Sequence, residues 1–148
     1  MKPYAYSDDY PTCVATHSSL RIFSERLTPD EITAALEQKP TRSFTRGDLF
    51  GKNNQLRKTT GWLYSTEKLM KSRDTRRHLD QILAVLKGKQ TSLDKLVSDG
   101  CSVDVMSFWL SIGHGGPIIE PEQMHQFSAL NIRVWWDVYF DDREVVEA

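Results

Sequence analysis

The chain has 148 residues and a formal net charge of −1, and its 39% hydrophobic and 26% charged residues are typical of a globular protein. A chain of this length buries about 70% of the surface of its unfolded state, so one hydrophobic core suffices without disulfides or a structural metal. No apolar run approaches the roughly 20 residues of a membrane-spanning helix, and the opening MKPYAYSDDYPT lacks the apolar region of a secretory signal. We therefore expect a cytoplasmic protein without a membrane anchor.

Charge is unevenly distributed along the chain. Residues 1–38 carry a net charge of −3, residues 39–89 one of +9 and residues 90–148 one of −7. A basic middle between acidic ends has two explanations: the segments pair with one another in the fold, or a basic surface faces an anionic partner. The first explanation is preferred.

The first elements are a lead-in, a strand and a short helix. Residues 1–11 are polar, contain two prolines and are predicted to be a loose lead-in. Residues 12–23 alternate in the manner of a long strand. Thr28 and Glu31 then form a capping box around Pro29 at the first helical position, which predicts the start of a helix.

A long polar and basic connection follows over residues 39–60, a length that is typical of a functional or mobile loop. Residues 41–44 add a short edge strand to it. GWLYST, residues 61–66, is predicted to be a strand with Trp62 and Tyr64 on one face.

Two helices and a strand come next. A leucine-rich stripe with helical spacing predicts a helix over residues 74–87, and a second helix follows over residues 92–98. The strand that begins at Ser102 changes its apolar parity, which predicts a β-bulge near Met106. A glycine turn and a helix opened by Pro121 complete this part.

The last strand, residues 132–140, has the strongest alternation in the chain. Its even-numbered residues, among them Trp136, are predicted to be core, and its odd-numbered residues lie on the opposite face. Residues 143–148 form an acidic tail.

These elements predict an α+β fold: a mainly antiparallel sheet of four to five strands with helices on one face. SLRIFSERLTPDEITAAL and FWLSIGHGGPIIEPEQMHQFSAL share a pattern of strand, turn and proline-opened helix. This pattern predicts two pseudo-repeated βαβ-like halves in a ferredoxin-like arrangement. Residues 12–142 form a single predicted domain between the lead-in, residues 1–11, and the acidic tail, residues 143–148.

The helix-free face of the sheet is the first candidate site. Trp109 is assigned to it by the parity of its strand, beside Ser107 and Ser111, together with the odd-numbered residues of the last strand. Aromatic side chains on an uncovered sheet face indicate a partner or self-association surface. The alternative is that residues 1–11 or 39–60 cover them. The predicted partner-binding residues are Trp109, His114, Arg133, Trp135, Asp137 and Tyr139.

Nucleic-acid or nucleotide binding is an alternative function. Basic residues between positions 42 and 77 are interleaved with aromatic residues, a combination that suits phosphates and bases. The nearly neutral net charge and the lack of an RNP-like segment speak against it. The residues of this alternative site are Arg42, Arg46, Lys52, Arg57, Lys58, Arg73, Arg76 and Arg77.

An enzyme is the remaining alternative, with His114 and Asp137 or Asp141 in a pocket. His114 lies in the turn GHGGP, whose glycines allow either a close approach to a ligand or simply a tight turn. The chain contains no HExxH, CxxC, GxSxG or phosphate-loop motif. No metal or cofactor is therefore expected, and Cys13 and Cys101 are predicted to be reduced thiols.

LTPDEITAAL, KPTRSFTRGD, GWLYST, FWLSIGHGGPIIEPEQM and DVYFDD resemble segments of a bacterial family catalogued as domain of unknown function 4279. The resemblance covers residues 13–142. It implies a small intracellular bacterial protein and supplies no catalytic residues. Because some proteins of this kind are encoded beside toxins, it also implies an immunity protein of a toxin system as one role. The function expected is binding of a protein partner, such as a cognate toxin, or self-association, with no membrane involved.

Overall fold

The computed structural model describes residues 4–141, which form an α+β fold with four helices and two sheets. The acidic tail predicted for residues 143–148 lies outside the described residues. The helices are α1 (Pro29–Leu36), α2 (Thr75–Leu86), α3 (Gln90–Ser98) and α4 (Pro121–Ala129). The strands are β1 (Cys13–Ser24), β2 (Arg42–Phe44), β3 (Leu49–Phe50), β4 (Gln55–Leu56), β5 (Thr60–Ser65), β6 (Ser102–Ser111) and β7 (Arg133–Phe140).

The main sheet has five strands in the order β2-β5-β1-β6-β7, and β3 and β4 form a separate small hairpin. β1 lies antiparallel to both β5 and β6, and β2 lies antiparallel to β5. β7 is parallel to β6 because α4 carries the chain back before β7 begins. The sheet is therefore mixed, so the prediction of a mainly antiparallel sheet misses the direction of β7.

The two halves of the chain differ in topology. β6, α4 and β7 form a parallel βαβ unit, whereas α1 leads from β1 into β2, which pairs with β5 rather than with β1. The ferredoxin-like duplication is therefore not confirmed.

Helix starts follow the local sequence. The Thr28 side chain accepts a hydrogen bond from the backbone N–H of Glu31, and the Glu31 carboxylate accepts one from the backbone N–H of Thr28. The predicted capping box is therefore confirmed. Asp74 begins α2 in the same way, by accepting from the backbone N–H of Arg76 at 3.0 Å.

One hydrophobic core lies between the main sheet and the helices. Side chains of all four helices and of β1, β5 and β6 belong to a single buried cluster, so the prediction of helices on one face is confirmed. Its largest members include Leu20, Ile22, Trp62, Ile32, Leu79, Leu93 and Phe127.

On β6, the face that packs against the helices carries a buried serine, Ser107. Ser107 is fully buried, and its Oγ lies 2.7 Å from the Oγ of Ser18 on β1. The apolar Met106 and Phe108 point to the other face, so the change of parity in the sequence is not a bulge. The predicted bulge near Met106 is wrong, because the β1–β6 ladder is irregular only between Cys13 and Ala15.

Residues 4–10 pack against α2, so they are not the loose lead-in that was predicted. The hydroxyls of Tyr4 and Tyr6 both donate to the carboxylate of Asp80. The backbone N–H of Ser7 donates to Asp74 at 2.6 Å. Asp8 accepts two hydrogen bonds from the guanidinium of Arg77, each 2.8 Å long. These residues are called the N-terminal segment below.

Candidate functional site

The face of the main sheet opposite the helices carries charged and aromatic side chains from three adjacent strands. It is called the open face, and its central members are His17, Arg21, Asp104, Phe108, Trp135, Asp137 and Tyr139. The register brings them together: Arg21 stands opposite Asp104, and Phe108 stands between His17 and Asp137. In residues 4–141, none of the four helices packs on this face.

Arg21, Asp104 and Trp135 form a hydrogen-bonded cluster on the open face. Arg21 donates two hydrogen bonds of 2.7 Å to Asp104, and the indole N–H of Trp135 donates to the same carboxylate at 3.1 Å. The Arg21 guanidinium also lies 5.2 Å from the centre of the Trp135 ring. Burial acts to raise the pKa of Asp104, but the hydrogen bonds from Arg21 and Trp135 hold it below its ordinary value. The indole is thereby fixed in one orientation.

A row of stacked rings lies beside this cluster. The His17 ring stacks on Phe108 with their centres 5.0 Å apart, and Phe108 contacts Tyr139 at 5.5 Å. The Tyr139 hydroxyl donates to Asp137 at 3.0 Å, which raises the pKa of Tyr139. Burial lowers the pKa of His17, so this imidazole is neutral at pH 7. The row is therefore apolar in its centre and acidic at both ends, at Asp137 beside Tyr139 and at Glu67, whose carboxylate lies 4.0 Å from Nε2 of His17.

The predicted partner-binding residues fall into three places: the open face, the turn after β6 and, for Trp109, the helix side of the sheet. Arg133, Trp135, Asp137 and Tyr139 lie on the open face, with Tyr139 51% exposed. His114 is exposed in the turn after β6.

The placement of Trp109 on the open face is wrong. Trp109 is only 2% exposed and lies on the helix side, where the ring of Tyr10 covers it at 5.4 Å. The parity was misassigned because Ser107 was taken as a solvent-facing residue, whereas its hydroxyl is buried against Ser18.

The pocket of the enzyme alternative is not assembled around His114. Asp137 bonds to Tyr139 on the open face, and the glycine turn packs on Tyr10, whose hydroxyl accepts from the backbone N–H of Gly116 at 3.2 Å. Gly115 adopts a φ of 99° there, a backbone conformation that favours glycine. The turn itself therefore accounts for glycine at this position, and no bound ligand is needed to explain it. Among residues 4–141, no three His, Cys, Asp or Glu side chains are grouped to hold a metal ion.

Both cysteines are buried and free. Burial raises the pKa of Cys101, and it raises that of Cys13 to about 11. Because the thiolate is the reactive form, neither residue has the character of a nucleophile.

The basic residues of the nucleic-acid alternative are divided between two places. Those near α2 are paired: Arg73 with Asp9, Arg77 with Asp8, and Arg76 with both Asp74 and Glu120. Their charges are therefore largely neutralised within the fold.

The others lie on residues 42–58, called the basic hairpin, which contain five Lys or Arg residues and one Asp. The Arg57 guanidinium lies 4.0 Å from the ring centres of both Phe44 and Phe50. The two groups of basic residues therefore make different contacts, ion pairs near α2 and ring stacking in the basic hairpin.

A cleft of about 980 Å³ opens on the helix side between α3, α4 and the first residues of β6 and β7. The half-buried Trp136 forms part of its floor, and its indole N–H has no hydrogen-bond partner among the described residues. Beyond it the helices no longer cover β7, because Val138 is 45% and Phe140 73% exposed. The even-numbered residues of β7 are therefore core only in its first half, contrary to the prediction.

Sequence reasoning missed His17, Arg21, Asp104 and Phe108 as members of the open face. A signal for them is present in the sequence. If Ser107 and Ser111 of β6 are assigned to the helix side, Asp104 and Phe108 fall on the same face as Trp135. The alternation of β1 had already separated His17 and Arg21 from Leu20 and Ile22.

A family model matches most of the chain. The family described as Domain of unknown function (DUF4279) matches residues 14–141, in agreement with the resemblance found in the sequence. No curated protein and no solved structure matches the chain. Within residues 4–141, no helix is both long and apolar enough to cross a membrane. Because the match spans most of its length, the chain belongs to the DUF4279 family.

Proposed function

We propose that this protein acts by binding a protein partner on the open face. The observation that carries the proposal is the presence of three aromatic rings, Phe108, Trp135 and Tyr139, on a sheet face without helices. Aromatic residues are enriched at protein interfaces, where they bury a large area at a low cost in side-chain entropy. Two of these rings are also held in place, Trp135 by Asp104 and Tyr139 by Asp137.

The charges that β1, β6 and β7 place on the open face favour a protein over a nucleic acid, while the register adds Arg42 of β2 to the same face of the sheet. Arg21 is neutralised by Asp104 through two hydrogen bonds. Arg133 and Asp137 contribute one charge of each sign. A nucleic-acid site requires a net positive surface that replaces counterions on the phosphates. A balanced aromatic surface is instead typical of a recognition site for a folded protein.

The experiment is an affinity capture from an extract of the organism that encodes the protein, followed by binding measurements with the captured protein. Tyr139→Ala and Trp135→Ala are each expected to weaken binding by about 30-fold, the value of an aromatic hot spot of roughly 2 kcal/mol. Calorimetry or biolayer interferometry gives the dissociation constants.

Val97→Ala is the matched control. Val97 lies on α3, on the helix side of the sheet, and is 50% exposed, much like Tyr139. It is expected to leave the affinity unchanged. Equal affinity for the Tyr139→Ala and Val97→Ala variants would contradict the proposal.

An immunity protein that neutralises a toxin is the more specific form of this function. It is supported by the family resemblance, which implies a small bacterial protein of a kind that is sometimes encoded beside a toxin. In that case the captured protein inhibits growth when it is expressed alone, and co-expression of the present chain restores growth. Tyr139→Ala is expected to abolish the rescue.

Nucleic-acid binding is the second candidate, and it rests on the stack of Arg57 between Phe44 and Phe50 in the basic hairpin. Fluorescence anisotropy with a single-stranded oligonucleotide tests it. Binding that falls steeply with salt and is lost in Arg57→Ala would favour this candidate over the open face.

A further inference from the structure

β7 presents a long free edge of the main sheet. It has eight residues and, among residues 4–141, its only strand partner is β6. Natural edge strands are usually short, interrupted by a bulge, or protected by lysine or proline. The opposite edge strand, β2, has only three residues. β7, with the sequence RVWWDVYF, is long and has no bulge, lysine or proline, and its two charged residues, Arg133 and Asp137, have opposite signs. Its outer edge is therefore suited to pair with another strand.

The backbone groups that point outwards can be identified. The N–H of Asp141 donates to the carbonyl of Ser111 on β6 at 2.9 Å. In a regular parallel strand, both backbone groups of every second residue point to the same neighbour. The odd-numbered residues of β7 therefore bond to β6, and Val134, Trp136 and Val138 direct their N–H and C=O groups to the free edge.

We propose that a second copy of this chain pairs antiparallel with the outer edge of β7, related to the first by a two-fold axis at Trp135. In this arrangement Val134 exchanges both backbone hydrogen bonds with Trp136 of the second copy, and Trp136 does so with Val134 of the second copy. Trp135 faces its own counterpart on the open face. The two main sheets become one sheet of ten strands.

Charge complementarity selects this register. With the axis at Trp135, Arg133 stands opposite Asp137 of the second copy, and Asp137 stands opposite Arg133 of the second copy. These are non-hydrogen-bonded pairs, in which the side chains approach most closely. An axis at Asp137 or at Arg133 would place like charges opposite each other. An axis at Val134 or Trp136 would pair neither charge with its opposite.

The second half of β7 supplies apolar surface for the same contact. Val138 is 45% exposed in the single chain, and this register places it opposite Ile132 of the second copy, on the helix side. Exposed apolar side chains beside an unpaired strand edge are the features by which strand addition gains both area and hydrogen bonds.

Charge reversal tests the register directly. Arg133→Asp and Asp137→Arg each turn both symmetric pairs into repulsive ones, so each variant is expected to dimerise at least about tenfold more weakly than the wild type. An equimolar mixture of the two variants restores opposite charges at both pairs and is expected to dimerise. The double variant Arg133→Asp/Asp137→Arg is also expected to dimerise. Sedimentation equilibrium over a range of concentrations measures all four.

Several results would overturn the proposal. They are a wild-type chain that stays monomeric up to about 1 mM, single variants that associate as tightly as the wild type, or a mixture that stays monomeric. Near-ultraviolet circular dichroism verifies that each variant is folded. Arg133→Ala only removes a side chain that is already exposed, and its dimer dissociation constant is expected to lie between those of the wild type and the charge-reversed variants. This variant replaces them in the test if a reversed charge prevents folding. The test requires no binding partner, so its outcome is separate from that of the proposed function.

Discussion

Gly61 allows the ring of Phe44 to lie directly on the backbone of β5. A Cβ at position 61 would overlap this ring, so a residue other than glycine forces the ring away. Phe44 in turn contacts the guanidinium of Arg57, which is also stacked on Phe50. One glycine thus holds the basic hairpin close to the main sheet.

Gly61→Ala is expected to displace Phe44 and to lower the free energy of unfolding by about 1–3 kcal/mol, the usual cost of overpacking. Urea denaturation measures this change. Gly116→Ala is the matched control, because a Cβ at position 116 meets open space and its φ is not in the left-handed region. A change of less than about 0.5 kcal/mol is expected for the control. Equal effects of the two substitutions would contradict this account of Gly61.

At the scale of elements, the N-terminal segment is fixed by a polar network rather than by apolar packing. Asp80 on α2 accepts from the hydroxyls of Tyr4 and Tyr6 and from the side-chain amide of Gln123 on α4. Burial and the bonds to Asp80 raise the pKa values of both tyrosines, so the hydroxyls stay protonated as donors. The network therefore joins the N-terminal segment, α2 and α4.

The double variant Tyr4→Phe/Tyr6→Phe removes two donors from Asp80 while keeping the rings. It is expected to lower the free energy of unfolding by about 1–3 kcal/mol, because the carboxylate loses partners in a partly buried site. Limited proteolysis is expected to cut the chain near Tyr10 sooner than in the wild type.

Tyr139→Phe is the control for this pair, since its hydroxyl bonds to Asp137 on an exposed part of β7. It is expected to change stability by less than about 0.5 kcal/mol. A double variant that is as stable and as resistant as this control would show that the hydroxyls do not hold the segment.

Elements with local signals could be predicted from the sequence. α1 and α2 begin at their caps, Thr28 and Asp74, because capping depends on neighbouring residues only. The direction of β7 was missed because alternation is the same in parallel and antiparallel strands. The helix predicted between β6 and β7 was the available signal, since such a crossover connects parallel strands. The open face was half predicted: the odd-numbered residues of β7 were placed on it, but β6 was inverted because Ser107 was taken as solvent-facing, while its partner Ser18 lies 89 positions away.

At the scale of the whole molecule, the fold pairs part of the uneven charge of the sequence, outside the basic hairpin. Acidic residues from the first segment reach the basic middle, as in Asp8 with Arg77 and Glu37 with Lys89. Glu120 from the last segment pairs with Arg76. These contacts support pairing between segments as the reason for the charge layout.

This pairing makes stability depend on acid pH. The bonds from Arg77 and Ser72 lower the pKa of Asp8 from 3.8 to about 2, and the pKa values of Asp74 and Asp104 are also below the ordinary range. A carboxyl with a depressed folded-state pKa contributes stability above its unfolded-state pKa and loses it as the pH falls through the folded value. The free energy of unfolding is therefore expected to fall between pH 4 and 2, roughly the window that these values define.

Arg77→Met isolates the contribution of Asp8. It is expected to lower stability at pH 7 and to flatten the dependence between pH 4 and 2, because Asp8 then titrates near its ordinary value. Urea denaturation at a series of pH values measures both effects. An unchanged slope would mean that Asp8 does not contribute to acid sensitivity.

The hydroxyl pair of Ser18 and Ser107 has a consequence for the order in which the chain folds. The two residues are 89 positions apart, and they join the central strand to its partner β6. During synthesis, β1 can pair with β5 once residue 65 has emerged, but its other side stays unpaired until β6 follows. Until then, the backbone N–H and C=O groups on that side of β1 can pair with other chains. Pairing of β1 with β6 is slow because the two strands are far apart in the sequence. Thr16 and Ser18 make the helix-side face of β1 more polar than Leu20 and Ile22 alone would, and we expect this to disfavour pairing with another chain before β6 arrives.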